Sequence, residues 1–389
     1  MKTCLVSLVS DQTIPNILVA LHFKPDFLLF FSTKQMEDKG KTKAILETLK
    51  LRGLDYFSNH QVFQISENSI LDLQQKFSNW SAEAGGQYDY IVNLTCGTKL
   101  MSLSAYDLFK EYGSMMVYIP IPRNEFLIPF PKHRPKEPTL LTDRLSVEEY
   151  LLAYGFKINN KNHIEKNKSI SRDRKQKTKL IMNNYRQLQP ILLSFFKQLQ
   201  PVLNKFPKSG VVVTVDKKID KEAEKEFLMA LGFPPSKEKP SKVVEKSEGK
   251  YLCGGWLEEY VFLIVDELLG GKGDIQIGVE AIDNQENKNE FDVIFTFENT
   301  LNLIECKSLD PEEGSEFKVG ITDFFYKLGA LRRNFGLTPK AFLATTSKDI
   351  YDQSGLVKSH LLERGKQFNI TLITLDQLKD LPEFLLKQL

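Results

Sequence analysis

The stretch Glu290-Phe-Asp-Val-Ile-Phe-Thr-Phe297, Glu298-Asn-Thr300, Leu301-Asn-Leu-Ile-Glu-Cys-Lys307 decides the fold of the C-terminal third. Two β-rich runs flank a three-residue turn, which predicts a β-hairpin. Side chains alternate along a strand, so Glu305 and Lys307 share one face, and cross-strand pairing lets Asp292 reach it. Two carboxylates and a lysine then converge. Aspartate and glutamate offer hard oxygen ligands to Mg2+ or Mn2+, and a neighbouring lysine can orient a water or stabilise a pentavalent phosphate. That is the minimum kit for holding a divalent metal against a phosphodiester. A lone Glu-x-Lys pair is usually a solvated strand face. Here the pair ends an apolar run, and a second acid stands on the neighbouring strand.

Upstream, Gly254-Gly-Trp-Leu-Glu-Glu-Tyr-Val261 opens a helix predicted over Gly254–Leu269. Glu258 and Glu259 lie in its first turns. One of them could point at the same metal; otherwise both merely complement the helix dipole. A strand over Ile275–Ala281 precedes the hairpin. After it come a helix over Phe317–Phe335 and strands over Ala341–Thr345 and Thr371–Leu375. Tyr326 and Lys327 could line the groove, although packing is the commoner role for such residues.

Residues 1–140 alternate strand patterns (Cys4–Val9, Phe27–Phe31, Gln61–Ile65, Tyr90–Leu94, Met115–Pro120) with helical ones (Pro15–His22, Lys34–Leu51, Ser69–Trp80, Lys99–Tyr112). This predicts a parallel sheet with helices on both faces, and ligand binding beyond the carboxyl ends of the strands. Two loops lie there: Ser10-Asp-Gln-Thr-Ile-Pro-Asn16 and Asn93-Leu-Thr-Cys-Gly-Thr-Lys99. Both precede helices, whose N-termini favour anions. Gly97 allows close backbone approach to a phosphate, and Thr98 and Lys99 add a hydroxyl and a charge. Neither loop is a dinucleotide or P-loop fingerprint, which disfavours catalytic use of ATP or NAD.

Residues 141–249 read as a linker and helical region. Pro-rich 131–141 is the boundary, and the charged segment ending Ser236-Lys-Glu-Lys-Pro-Ser-Lys242 is a second loop or linker. Ser146–Phe156 forms a short helix capped by Ser146 with Glu149, which could belong to a small winged-helix-like element. Lys157–Lys179 is basic and polar, Leu180–Phe206 is helical with interruptions at Pro190 and Pro201, and Gly210–Val215 is a strand. Residues 250–389 form the last domain.

The 389-residue length fits two or three domains, and a net charge of +2 gives no global polyanion signal. The four cysteines lack CxxC spacing, which favours a reducing cytoplasm over a disulfide framework, and the dispersed histidines argue against zinc. No apolar run is long enough to span a membrane, and the run from Cys4 reads as a first strand rather than a signal peptide.

The order helix-Glu, strand-Asp, strand-Glu-x-Lys, helix resembles the PD-(D/E)xK restriction-endonuclease superfamily. The Leu-Val-Ser-Asp-Gln-Thr-x-Pro-Asn start and the Asn-x-Thr-x-Gly-Thr-Lys-x-Met-Ser loop resemble CARF domains, the Rossmann-like sensors of CRISPR defence. Cys96 stands where related loops often carry glycine. Together these features resemble the CRISPR ancillary nucleases that join the two folds and are activated by cyclic tetra-adenylate. The resemblance implies an α/β chain with a Rossmann-like CARF domain, a linker region and a restriction-endonuclease-like domain. It implies a homodimer binding cyclic oligoadenylate through Ser10, Asp11, Gln12, Thr13, Thr95, Gly97, Thr98 and Lys99. It implies a catalytic set of Asp292, Glu305 and Lys307 with Glu258 or Glu259, in which Asp292, Glu305 and Glu258 hold Mn2+ or Mg2+. Single-stranded RNA and DNA would be cleaved, with nicking of supercoiled DNA. The alternative is a non-catalytic, ligand-responsive DNA-binding regulator of the CARF type.

Overall fold

The computed structural model describes residues 2–84, 88–131, 137–234, 239–308 and 320–389. The N-terminal sheet contains β1 (Lys2–Leu8), β2 (Phe27–Ser32), β3 (His60–Gln64), β4 (Tyr88–Asn93), β5 (Met115–Tyr118), β6 (Glu125–Phe130) and β7 (Thr139–Leu140), in the order β3-β2-β1-β4-β5-β6-β7. The first five are parallel, as the alternation of strand and helix predicts. The apolar runs of β1 and β2, in the middle of the sheet, are buried because helices cover both faces, whereas the edge strand β3 is half-buried. Strand order reverses between β1 and β4, so the loops leaving these two neighbours lie side by side.

β6 and β7 are antiparallel additions at one edge. The expected linker at 131–141 therefore ends in an edge strand, while 132–136 lie outside the described residues. The single helix expected over Lys34–Leu51 is two, Lys34–Asp38 and Lys41–Leu51, because Gly40 between them takes a left-handed φ of 67°.

Further along the chain come β8 (Lys157–Ile158), β9 (Val211–Thr214), β10 (Ser241–Val244), β11 (Gly273–Ile282), β12 (Lys288–Phe297), β13 (Thr300–Lys307), β14 (Lys340–Thr345) and β15 (Ile370–Ile373). All but β9 and β10 form one mixed sheet, ordered β15-β14-β13-β12-β11-β8. The hairpin β12–β13 turns in two residues rather than three. Glu298 and Asn299 both adopt left-handed φ (49° and 57°), and Phe297 pairs with Thr300. The C-terminal helix expected over Phe317–Phe335 spans Ile321–Arg333, and its expected start at 317–319 lies outside the described residues.

Residues 141–249 are more than a linker. Ser146 caps helix Val147–Ala153 reciprocally with Glu149, as its sequence predicts. That helix is buried against helix Lys41–Leu51 on one side and the second sheet on the other, so it is not part of a winged-helix element with β9 and β10. β8 extends the second sheet. The charged segment before Lys242 enters β10, which pairs with β9, while 235–238 lie outside the described residues. Helix Tyr185–Leu199 runs through Pro190, and the break falls at Gln200–Lys205.

The basic stretch folds as helices Lys161–Asp173 and Lys175–Asn183. Several of its cations are taken by acids of helix Trp256–Leu269: Arg172 by Asp266 (3.0 Å), Arg174 by Glu259 (2.9 Å), and Lys175 by Glu267 (2.8 Å). These pairs fasten the two helical layers and leave fewer charges for a phosphate backbone.

One apolar core runs continuously from the N-terminal domain (Leu5, Ile17, Ile45) through Tyr150 to the second sheet (Phe291, Ile294, Leu303). A second core fills the opposite face of that sheet beneath Trp256, Phe262 and Val265. Among the described residues no helix is long and apolar enough to cross a membrane.

Candidate active site and ligand cleft

The hairpin brings Asp292, Glu305 and Lys307 together. Ladder pairing stops at Val293 and Ile304, and beyond it the Asp292 carboxylate accepts the Cys306 amide hydrogen at 2.7 Å. Lys307 Nζ lies 3.0 Å from Glu305 Oε1 and 3.5 Å from Asp292 Oδ2. Glu305 and Lys307 continue the strand face that carries Leu301 and Leu303, onto which helix Ile321–Arg333 packs. That helix supplies two groups: Lys327, which the sequence allowed in the groove although packing is the commoner role, and Phe324, which it did not mark. Lys327 Nζ contacts both Glu305 oxygens at 3.1 and 3.3 Å, and the Phe324 ring lies 4.7 Å from Lys307 Nζ. Their spacing of three residues, one helical face, was the available signal.

Glu258 faces the same cluster. A wide turn over Tyr251–Gly255 precedes its helix, and Gly254 there has φ 135° while its carbonyl accepts the Ser308 hydroxyl at 3.2 Å. The end of β13 thus fixes where the helix starts. Burial and then the Asp292 carboxylate push the Glu258 carboxyl well above its ordinary range, against the pull of Lys307. Burial and Glu305 raise Asp292 to about 6, with Lys307 and the Cys306 amide opposing. Burial disfavours the Lys307 charge, yet Asp292 and Glu305 hold its ammonium above the usual value.

Glu259 does not join them. It is buried on a different face of the helix, pairs with Arg174 Nη1 at 2.9 Å, and is raised to about 7 because burial outweighs that attraction. Of the two acids that the sequence left open, Glu258 therefore faces the cluster and Glu259 does not, since a neighbour one residue along a helix points elsewhere.

Three carboxylates thus share the site with two lysines. Their oxygens are the donors a hard divalent ion prefers. Among the described residues no three acidic, cysteine or histidine side chains close into a ready-made cation cage. The carboxylate charge is instead taken up by Lys307 and Lys327. The donor set fits Mg2+ or Mn2+ if the ion takes over part of that neutralisation.

At the N-terminal switch point the Ser10–Thr13 and Thr95–Lys99 loops lie together. The Cys96 thiol donates to Gln12 O at 3.2 Å, so the unusual cysteine joins them. Asn16 and Asn93 meet below, at 2.8 Å. Ser10 Oγ accepts the Gln12 amide hydrogen. Thr95 Oγ1 accepts the Ile119 amide hydrogen, and Thr98 caps the next helix on Met101 N. Gly97 has φ 81°, and a β-carbon there would crowd Leu8 and Met101, so a side chain would be strained. Asp11, Thr98 and Lys99 are exposed.

Thr13 is the exception. It is fully buried and its hydroxyl donates to Ala153 O at 2.7 Å, so it fastens the loop to helix Val147–Ala153 instead of facing a ligand. Two cations not expected from the sequence stand beside this loop. Lys39 pairs with Asp11 at 2.9 Å, and Lys41 is buried with its ammonium over Tyr154. The Lys39-Gly-Lys41 run was their only signal.

Residues 4–150 match the family described as the Card1 CARF domain, and residues 245–389 match the Card1-like endonuclease domain. No curated protein matches by sequence. Two solved structures share the fold over almost the whole chain. Protein VC1899 from Vibrio cholerae is 19% identical with a TM-score of 0.77, over 99% of this chain and 97% of that one. Can2 from Sulfobacillus thermosulfidooxidans, solved in complex with cyclic tetra-adenylate, is 21% identical with a TM-score of 0.72, over 99% and 98%.

Proposed function

We propose that this chain, which joins a Card1 CARF domain to a Card1-like endonuclease domain, is a CRISPR-defence nuclease switched on by cyclic oligoadenylate. The observation that carries the reading is the convergence of Asp292, Glu305 and Lys307, with Glu258 beside them, in the same chain as two loops that lead into helices at a switch point. Asp292, Glu305 and Glu258 would hold Mg2+ or Mn2+, which when bound supplies water activation and charge neutralisation. Lys307 then orients the water or stabilises the phosphate, its charge secured by its two carboxylate neighbours.

Cyclic tetra-adenylate is the favoured activator, because the Can2 structure of this fold binds it. Ser10, Asp11, Gln12, Thr95, Gly97, Thr98 and Lys99 would contact the ring, and Lys39 offsets the negative charge of Asp11. The protein would work as a homodimer in the cytoplasm. Leu71 and Leu103, near the cleft on two helices joined by the Ser104 hydroxyl on Ile70 O, are 62% and 58% exposed and suit a two-fold contact. Single-stranded RNA and DNA are the proposed substrates, with nicking of supercoiled DNA.

The test is incubation with single-stranded RNA and DNA and Mn2+, with and without cyclic tetra-adenylate. Cleavage is expected only with metal and activator, and Glu305→Ala abolishes it. Full cleavage by Glu305→Ala overturns the nuclease reading. A wild-type protein that never cleaves yet shifts duplex DNA specifically supports the ligand-responsive regulator instead.

A further inference from the structure

We infer that helix Ile321–Arg333 carries the state of the N-terminal loop to the metal site, with Lys327 as the positioning residue that acts on Glu305; this rests on the nuclease reading above. At one end the helix meets the site directly. Lys327 holds both Glu305 oxygens, and Phe324 lies against the Lys307 ammonium. A lysine spread over both oxygens of a carboxylate competes with any cation that the carboxylate would bind.

The other end reaches the ligand loop. Phe335, just past the helix, is buried against Tyr154, Phe156 and Phe291. The next two residues touch Gln12. Leu337 N donates to Gln12 Oε1 at 3.3 Å, and a side chain on Gly336 would overlap the Gln12 amide and the Tyr154 hydroxyl. Gln12 is also the residue whose carbonyl accepts the Cys96 thiol, so both loops of the cleft bear on this contact. A ligand that engages the Gln12 side chain must compete with Leu337 for it. Losing that bond loosens the Gly336–Leu337 turn beside Phe335, and a shift passed back through Phe335 draws Lys327 off Glu305. Glu305 is then left with Lys307 and is freer to bind the metal. Only a ligand that favours the shifted arrangement drives this change.

The experiment measures Mn2+ binding to the full-length protein, from the loss of the free Mn2+ paramagnetic resonance signal, without nucleic acid. Without activator, Lys327→Met is expected to bind Mn2+ roughly threefold to tenfold more tightly than wild type, as suits loss of a half-exposed competing charge. Lys327→Gln does the same, and Lys327→Arg restores wild-type affinity. Gln12→Ala shifts affinity in the same direction but less, and adds nothing to Lys327→Met. Thermal melts of each variant establish that it is folded.

Unchanged or weaker Mn2+ binding by both folded Lys327→Met and Lys327→Gln overturns the inference, as does full additivity of Gln12→Ala with Lys327→Met. A wild-type protein whose Mn2+ binding is absent with and without activator overturns the nuclease reading itself, which separates the two failures.

Discussion

Glu258 and Glu259 are neighbours in sequence but point about 100° apart on their helix, so only one can face Asp292. The two substitutions should therefore separate. Glu258→Gln is expected to slow activator-dependent cleavage by about two orders of magnitude or more, as for loss of a group at a metal-assisted hydrolytic centre. Glu259→Gln, which leaves Arg174 its neutral partner, keeps the rate within roughly threefold. Single-turnover cleavage of one labelled strand measures both, and equal losses would return Glu259 to the site. The sequence held both acids open because dipole complementarity and metal binding look alike in a first turn. The buried Arg174 contact decides between them, and it comes from 85 residues away.

At the scale of elements, the hairpin β12–β13 is held at both ends. One end carries Asp292 and Glu305. At the other, Asn299 donates to Asn124 Oδ1 and Asp143 O and accepts from Leu145 N, while Glu298 accepts from Asn124 and pairs with Arg144. Asn299→Ala loses these bonds and places a β-carbon at φ 57°. It is expected to cost about 2–4 kcal/mol in urea denaturation, mainly through buried backbone groups left without partners. Asn299→Gly, which accepts the left-handed backbone, should cost less, and an equal cost would show that backbone strain plays no part. The hairpin was legible because its apolar runs and charged ends are local. The short β7 was not, since two residues carry no period. Gly40 marked a break within the Lys34–Leu51 pattern, but apolar residues on either side hid it.

Across the whole molecule the two domains share a core, so one side chain can matter to both. Phe335 touches Tyr154, Phe156 and Phe291 and has no exposed surface. Phe335→Ala is expected to cost about 3–5 kcal/mol. Tryptophan fluorescence should report it in both domains, since Trp80 lies in the first and Trp256 in the second. Separate loss of only one signal would argue that the domains unfold independently. Leu103→Glu puts a charge on the exposed apolar pair with Leu71. For the proposed homodimer, it should shift the protein toward monomer in light scattering and remove the proposed activator-dependent cleavage while the fold survives. A Leu103→Glu protein that stays dimeric places the dimer contact elsewhere.

The elements with local signals were legible in residue order alone: the parallel alternation of the first domain, the capped helix at Ser146, the hairpin, and the loops with their small polar residues. So was the meeting of Asp292, Glu305 and Lys307, because strand periodicity places them. Packing between distant segments was needed to show that Glu258 rather than Glu259 faces them, that Thr13 is a buried fastening, that the basic stretch is partly spent on helix Trp256–Leu269, and that Lys327 completes the charge at Glu305. Each depends on a partner far away in the chain. A side chain's direction follows from its own backbone, whereas what it meets there follows from how distant elements pack.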